Sequence, residues 1–289
     1  MARWVLGVVI ALSMLAGYAA ATDAPYYRVT GGPLIRVGNA SWSVATVRVR
    51  QSSWLDWALS GGRLARAGGQ PDSAQADAMN VSETTAVVVA AQVAAGRVPV
   101  GTAGLQVMPA AVAQAGAGLA PGDILLAADG TPLRTADDLR PRLLVVPRGA
   151  DGSWGRAEVR TVAAARQLPV TTSVQAVAYP LGAVEGPSAG LMLALARIDA
   201  LTGGGLTGGR RIAGTGALGP DGRVTSVGEV AQKVAAARSA GMDVFFVPVY
   251  QRATAAQAAR GDRPRIVPVG SVTEAVRWLC TNGGHAPIC

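Results

Sequence analysis

"GPSAGLMLALARIDALTG", residues 186–203, is the stretch on which the fold turns. Between Leu191 and Leu201 only Arg197 and Asp199 carry charge, so apolar side chains lie almost all round the helix this run predicts. A helix apolar on every side belongs in a core, and Gly203 supplies its stop. Pro187 and Ser188 mark its start. A serine there is ordinarily a cap. The same spot also combines unpaired backbone N–H groups with the positive end of the helix dipole, which suits a nucleophile whose product is an oxyanion.

The flanks read as α/β. "VTTSVQAVAY" alternates as a strand, "GRRIAGTGALGPDGRV" holds a strand pair turning at 220–222, and "DVFFVPV" (243–249) reads as a buried strand. "SVTEAVRWLC" (271–280) predicts a last helix. Nearer the N-terminus, "SVATVRVRQ" (43–51) alternates as a strand, and "SETTAVVVAAQVAAGR" (82–97) predicts a helix capped by Ser82 and ending at Gly96, although its valines also suit a strand. Residues 61–75 read as a loop.

"GEVAQKVAAARSAG", residues 228–241, predicts an amphipathic helix closed by Gly241 and contains Lys233, the only lysine among 26 basic side chains. Val230, Val234 and Ala237 form its apolar stripe, and Lys233 falls on that side, away from Gln232 and Arg238. Burial favours loss of the ammonium proton, which arginine does not permit. A neutral lysine is a competent base for a serine.

The rival base is the single histidine, His285. Gly186 and Gly190 flank Ser188 at the spacing G-x-S-x-G, and the chain order Ser, Asp, His is available through Asp243 or Asp262. Against it stand Pro180 and Gly182, which interrupt the approach to the serine, and the Gly-rich tail "TNGGHAPIC" around His285. An exported esterase using Ser188 and His285 is therefore the third functional reading.

The run "EGPSAGLMLALARIDALTG…GGRRIAGTGALGPDGRVTSVGEVAQKVAAARSAGMDVFFVP" resembles the proteolytic domain of Lon-type serine proteases over about 110 residues. The resemblance implies that Ser188 is the nucleophile, that Lys233 is the general base and that Thr215 supports the lysine. It also implies a supporting place for Glu185, Gly186 and Gly190, with aspartate commoner than glutamate at the first of these. No G-x-x-x-x-G-K-[ST] motif is present, since the one lysine lies elsewhere, so an ATP-independent serine endopeptidase is expected.

"GLAPGDILLAADGTPLRTADDLRPRL" offers a Pro-Gly turn, a short strand, an Asp129-Gly130 hairpin turn and a helix capped by Thr135. It resembles a bacterial PDZ domain, which implies that an extended peptide pairs with a sheet edge beside a helix. Gly101, Gly104 and Leu105 are the candidates for that peptide-binding loop. The whole layout resembles the bacterial branch of secreted or membrane-anchored PDZ–Lon proteases, which implies that the PDZ unit interrupts the protease domain.

Composition sets the outer limits. The chain has 289 residues, half of them apolar, room for roughly two domains. A net charge of +8 raises the question of nucleic acid, but the arginines are scattered, aromatics make up 4%, and no zinc-ligand spacing occurs. Anionic lipid or cell wall is the simpler partner, and no cofactor or metal is expected. Arg3 precedes an uncharged run, Trp4–Ala21, that suits a membrane-spanning helix with its N-terminus cytoplasmic, while "AAA" at 19–21 suits signal cleavage near Ala21. Either reading exports the rest, where Cys280 and Cys289 can pair.

The expected organisation is an α+β protein. It comprises a signal anchor or signal peptide at 1–24, an N-terminal part of the protease domain at 25–97, a small β-rich PDZ-like domain at 98–166, a Lon-type proteolytic domain at 167–280 and a tail at 281–289. A non-catalytic PDZ adaptor on a Lon-like scaffold is the alternative function. Protein or peptide substrates are the expected partners, and a homo-oligomer stays open.

Overall fold

A computed structural model describes residues 2–38, 41–60, 65–66, 73–102, 104–108, 118–171 and 186–289. The described strands form two six-stranded sheets, each packed with helices, and one two-stranded hairpin. The chain opens with helix α1 (Ala2–Ala21) and a long antiparallel ribbon of β1 (Asp23–Arg36) and β2 (Trp42–Ser53). The described side chains of α1 begin at Leu12, and among the described residues no helix is long and apolar enough to cross a membrane. After α2 (Trp54–Leu59), the two-residue β3 (Ala65–Arg66) pairs with β1.

The ribbon joins chain segments far apart in sequence. β2 pairs in parallel with β10 (Ile212–Gly214), which pairs with β13 (Val244–Pro248), and that strand with β14 (Arg265–Val269), giving the order β14-β13-β10-β2-β1-β3. Alternation sends Ala45, Ala213 and Phe245 to one face, against α5 (Val230–Ser239) and α6 (Arg252–Ala259). Val44, Ile212 and Phe246 go to the other, against α4 (Gly190–Leu201) and α7 (Val272–Thr281).

The second sheet is antiparallel and runs β8-β7-β5-β4-β9, with β6 hairpinned onto β5. Its strands are β4 (Leu105–Val107), β5 (Ile124–Ala128), β6 (Thr131–Pro132), β7 (Arg142–Val146), β8 (Glu158–Thr161) and β9 (Val170–Thr171). Positive φ at Asp129 (48°) and Gly130 (83°) makes the expected hairpin turn. One face of this sheet closes its own core around Leu125, Leu143 and Val145. From the other, Ile124, Leu126 and Val146 rest on α3 (Ser73–Ala94) at Val87, Val88 and Ala91. Since Ala86, Val89, Ala90 and Val93 of α3 belong to the first layer's core, this helix is buried from both sides.

Several expectations are corrected. The helix assigned to 82–97 starts at Ser73, so Ser82 is interior and caps nothing. The Thr135 helix is one 3-10 turn, Ala136–Asp138, with Thr135 N–H donating to Asp138 Oδ2 at 2.9 Å. The strand drawn from Val170 is described only as Val170–Thr171, the rest lying outside the described residues. The sequence predicts no strand at β1, at Arg142–Val146 or at β14 and no helix at α2 or α6, and the loop read at 61–75 contains β3 and the start of α3.

The tail is tied down. Cys280 and Cys289 are bonded, His285 N–H donates to Gly205 O at 3.0 Å, and Ala286 is buried. A polar anchor fixes the far end of α4: buried Asp199 accepts from Trp42 Nε1 at 2.9 Å and from the Leu206 N–H at 2.8 Å. Trp42→Phe removes one of these donors from a buried carboxylate. It should cost about 1–3 kcal/mol, read as a lower denaturation midpoint at unchanged m-value.

Candidate active site

Ser188 lies in a 3-10 turn, Pro187–Ala189, that runs directly into α4. Gly186 enters it at φ 82°, in the left-handed region that glycine tolerates. Gly190 is needed for a different reason. A Cβ there would lie 2.8 Å from Ser82 Oγ and 2.9 Å from Leu218 Cβ, so only glycine lets α4 start this close to α3 and to β11 (Ala217–Leu218), which forms a hairpin with β12 (Val224–Thr225). Ser82 Oγ also donates to Pro187 O at 3.0 Å, fixing the turn from the α3 side.

The backbone of Ser188 is held from the other side by the segment after β10. Its carbonyl accepts from the Gly216 N–H at 2.9 Å and from Thr215 Oγ1 at 3.1 Å. Thr215 is fully buried, with its own N–H on Phe246 O at 3.0 Å. Lys233 Nζ in turn donates to Thr215 Oγ1 at 3.2 Å. A chain therefore runs from Lys233 through Thr215 to the main chain of Ser188. Among the described residues no hydrogen bond joins Ser188 Oγ to Lys233 Nζ.

Lys233 is 4% exposed and shares the inward face of α5 with Val230, Val234 and Ala237. Burial lowers its pKa from 10.5 to about 8, against an opposing pull from the carboxylate of Glu229, which favours the ammonium. Gly31 of β1 sets the depth of α5. A Cβ there would lie 2.9 Å from Gln232 O and 3.0 Å from Ala236 Cβ, so the helix rests on bare backbone next to the lysine.

The remaining candidates fall elsewhere. Glu185 lies outside the described residues. His285 stands on Gly205, past the far end of α4, whereas Ser188 precedes its first residue. The 12-residue helix between them spans about 18 Å, which removes His285 as the base for this serine. Gly101 (φ 75°) and Gly104 (φ 84°) turn the chain into β4, where Leu105 is buried. β4 is paired on both sides, with β5 at Leu105 and Gln106 and with β9 at Gln106 and Val107. A cleft of about 490 Å³ is lined by Arg97, Val100, Asp129, Arg142 and Val159 and includes none of the expected site residues. Among the described residues no three His, Cys, Asp or Glu side chains gather as metal ligands.

Two contributors were missed in the sequence. Glu229 stands one turn before Lys233, a spacing that could have flagged it, and adopts a left-handed backbone (φ 60°) unusual for glutamate. Ser82 stands out locally only as a helix cap, and nothing near it points to its partner 105 positions away.

Residues 153–260 match the family model of the Lon protease (S16) C-terminal proteolytic domain. The chain carries a Lon-type proteolytic domain. The match takes in Ser188, Thr215 and Lys233 and supports serine peptidase activity. It begins inside the second sheet, before β8, and stops at Arg260, although β14 and α7 complete the layer beyond it. A search of the curated proteins finds no match for the chain.

The buried amine has a thermodynamic signature. With a folded pKa of about 8 and an unfolded value of 10.5, the unfolded chain binds more protons between these values. Stability from this group therefore rises as pH climbs from about 8 to 10.5, and the penalty is complete below pH 8. Lys233→Met should stabilise the protein at pH 7 by up to about 3 kcal/mol, an advantage that vanishes by pH 10.5 in parallel melts.

Proposed function

We propose that this protein is an ATP-independent serine endopeptidase in which Ser188 attacks and neutral Lys233 takes its proton. The observation that carries the reading is the buried Lys233 amine held on Thr215, whose hydroxyl is itself committed to the Ser188 carbonyl. Because the Thr215 proton is used on that carbonyl, the lysine must donate to Thr215. In the neutral amine the lone pair is then left for the Ser188 hydroxyl. Thr215 is the positioning residue.

Ser188 Oγ bonds to the scissile carbonyl carbon as its proton passes to Lys233. The N–H groups of the first turn stabilise the oxyanion, and the resulting ammonium protonates the departing amine. Water, deprotonated by the same amine, then releases the serine ester. With a pKa of about 8, about a tenth of the molecules hold the lysine neutral at pH 7, which suits a slow and selective enzyme. Gly186 and Gly190 act on the shape of the turn.

The further elements of this reading rest on sequence. The uncharged run at 4–21 supports a signal anchor with the catalytic part outside the cytoplasm, or secretion after cleavage near Ala21. The glycine turns at 101 and 104, the hairpin at 129–130 and the five-stranded path of the second sheet support a PDZ unit that selects peptides. For a peptide to pair with β4 it must displace β9, which is held there by two residue pairs.

Peptide hydrolysis without ATP tests the assignment. Ser188→Ala and Lys233→Met should each lower kcat/KM by about a thousandfold or more. The wild-type profile should rise with pH through an apparent pKa of about 8. His285→Ala should leave the rate unchanged. Full hydrolysis by Ser188→Ala would sink the proposal, while a chain inactive on every peptide that still captures them through its second sheet would be the adaptor.

A further inference from the structure

Helix α2, "WLDWAL", buries none of its residues. Six residues do not hold a helix in water by themselves, and this one exposes Trp54 by 40% and Leu59 by 78%. Its two indoles form a cluster with Tyr26 of β1. The Tyr26 and Trp57 rings stack at 5.5 Å, and Trp54 meets them edge-on at 6.3 Å and 5.9 Å. The cluster stands at the foot of α1: Trp54 N–H donates to Thr22 O at 3.2 Å, and Thr22 Oγ1 donates to the carbonyl of Tyr18, itself 70% exposed.

Positive charge lies alongside. Arg28 faces Arg50 across the ribbon and Arg48 lies opposite Thr30, which places all three arginines on one face of the β1–β2 pair. Arg28 pairs with Asp56 at 3.3 Å. Arg48 and Arg50 are exposed, and among the described residues neither has an ion-pair partner. Asp23 and Asp56 are the acidic residues of this end, so the arginines outnumber them.

We infer that this end of the protein is a docking surface for an anionic phospholipid membrane, with Trp54, Trp57 and Leu59 in the headgroup region and Arg48 and Arg50 on lipid phosphates. Indole and phenol rings have an apolar body and a polar tip, and they concentrate at the membrane–water boundary. Arginines just outside an apolar segment draw anionic lipid. Continuity with α1 selects lipid over a protein partner, because the aromatic cluster begins where the uncharged run at 4–21 ends. The inference rests on the membrane reading of that run and adds to it that the folded body itself lies down on the bilayer. The catalytic layer shares a sheet with the ribbon, so docking would fix its orientation to the surface.

Tryptophan emission of the full chain in vesicles of phosphatidylcholine and phosphatidylglycerol, brominated near the headgroup end of the acyl chains, tests this. The wild type should lose more emission than Trp54→Phe/Trp57→Phe, which lacks the two reporters. Arg48→Gln/Arg50→Gln should lower the docked fraction, with its ratio to undocked falling about 30-fold for two arginines. Vesicle flotation separates the two failures. A chain that floats with the vesicles yet shows equal quenching in wild type and double-Phe variant overturns the docking surface and leaves the anchor standing. A chain that does not float overturns both. Self-association in neutral detergent that grows with protein concentration and is lost in Trp54→Phe/Trp57→Phe assigns the surface to a second copy and overturns the lipid assignment.

Discussion

An amine held out of water against a single hydroxyl is the constraint on which the first layer depends. Lys233 sits among Val230, Val234 and Ala237, where its charged form is penalised, and its described hydrogen-bond partner is Thr215. Closely placed backbone and two side-chain hydroxyls, Thr215 and Ser82, bring these groups together. Glycine at 31 lets α5 reach the ribbon, glycine at 190 lets α4 start against Ser82, and the turn after β10 meets the Ser188 carbonyl with two donors.

The same core explains why two sheets act as one framework. Helix α3 offers Ala86, Val89 and Val93 to the first layer and Val87, Val88 and Ala91 to the second sheet. A helix with two apolar faces cannot show a single stripe, and it transmits the position of one sheet to the other by direct packing. Ser82, on this helix, touches the turn that carries Ser188. The unit proposed to choose peptides and the turn proposed to cut them are thus fixed to one rod.

The ribbon β1–β2 does a second job. It joins the first sheet through β2 and β10, and its far end carries the exposed arginines and aromatics beside α1. Burial changes sharply along β2, from fully covered at Trp42–Thr46 to open at Arg48–Gln51. One strand therefore belongs to the core at one end and to a surface at the other.

The sequence by itself determined what depends on near neighbours: the buried helix after Ser188 and its stop at Gly203, the inward side of Lys233, the Asp129-Gly130 turn and the last helix. These follow from periodicity and turn chemistry within a dozen residues, and the lone lysine stood out by composition alone. Only the tertiary structure decided that Thr215 bridges Lys233 to the Ser188 carbonyl, that Ser82 serves the same turn, and that His285 stands at the wrong end of α4 although the G-x-S-x-G spacing allowed it. It also decided that α3 begins at Ser73 and that β1 exists at all, since Gly31, Gly32 and Pro33 break the alternation of that strand where the register shifts. The reason is physical. Such features are set by contacts between residues tens to more than a hundred positions apart, and packing on two sides erases the one-sided pattern that local reading requires.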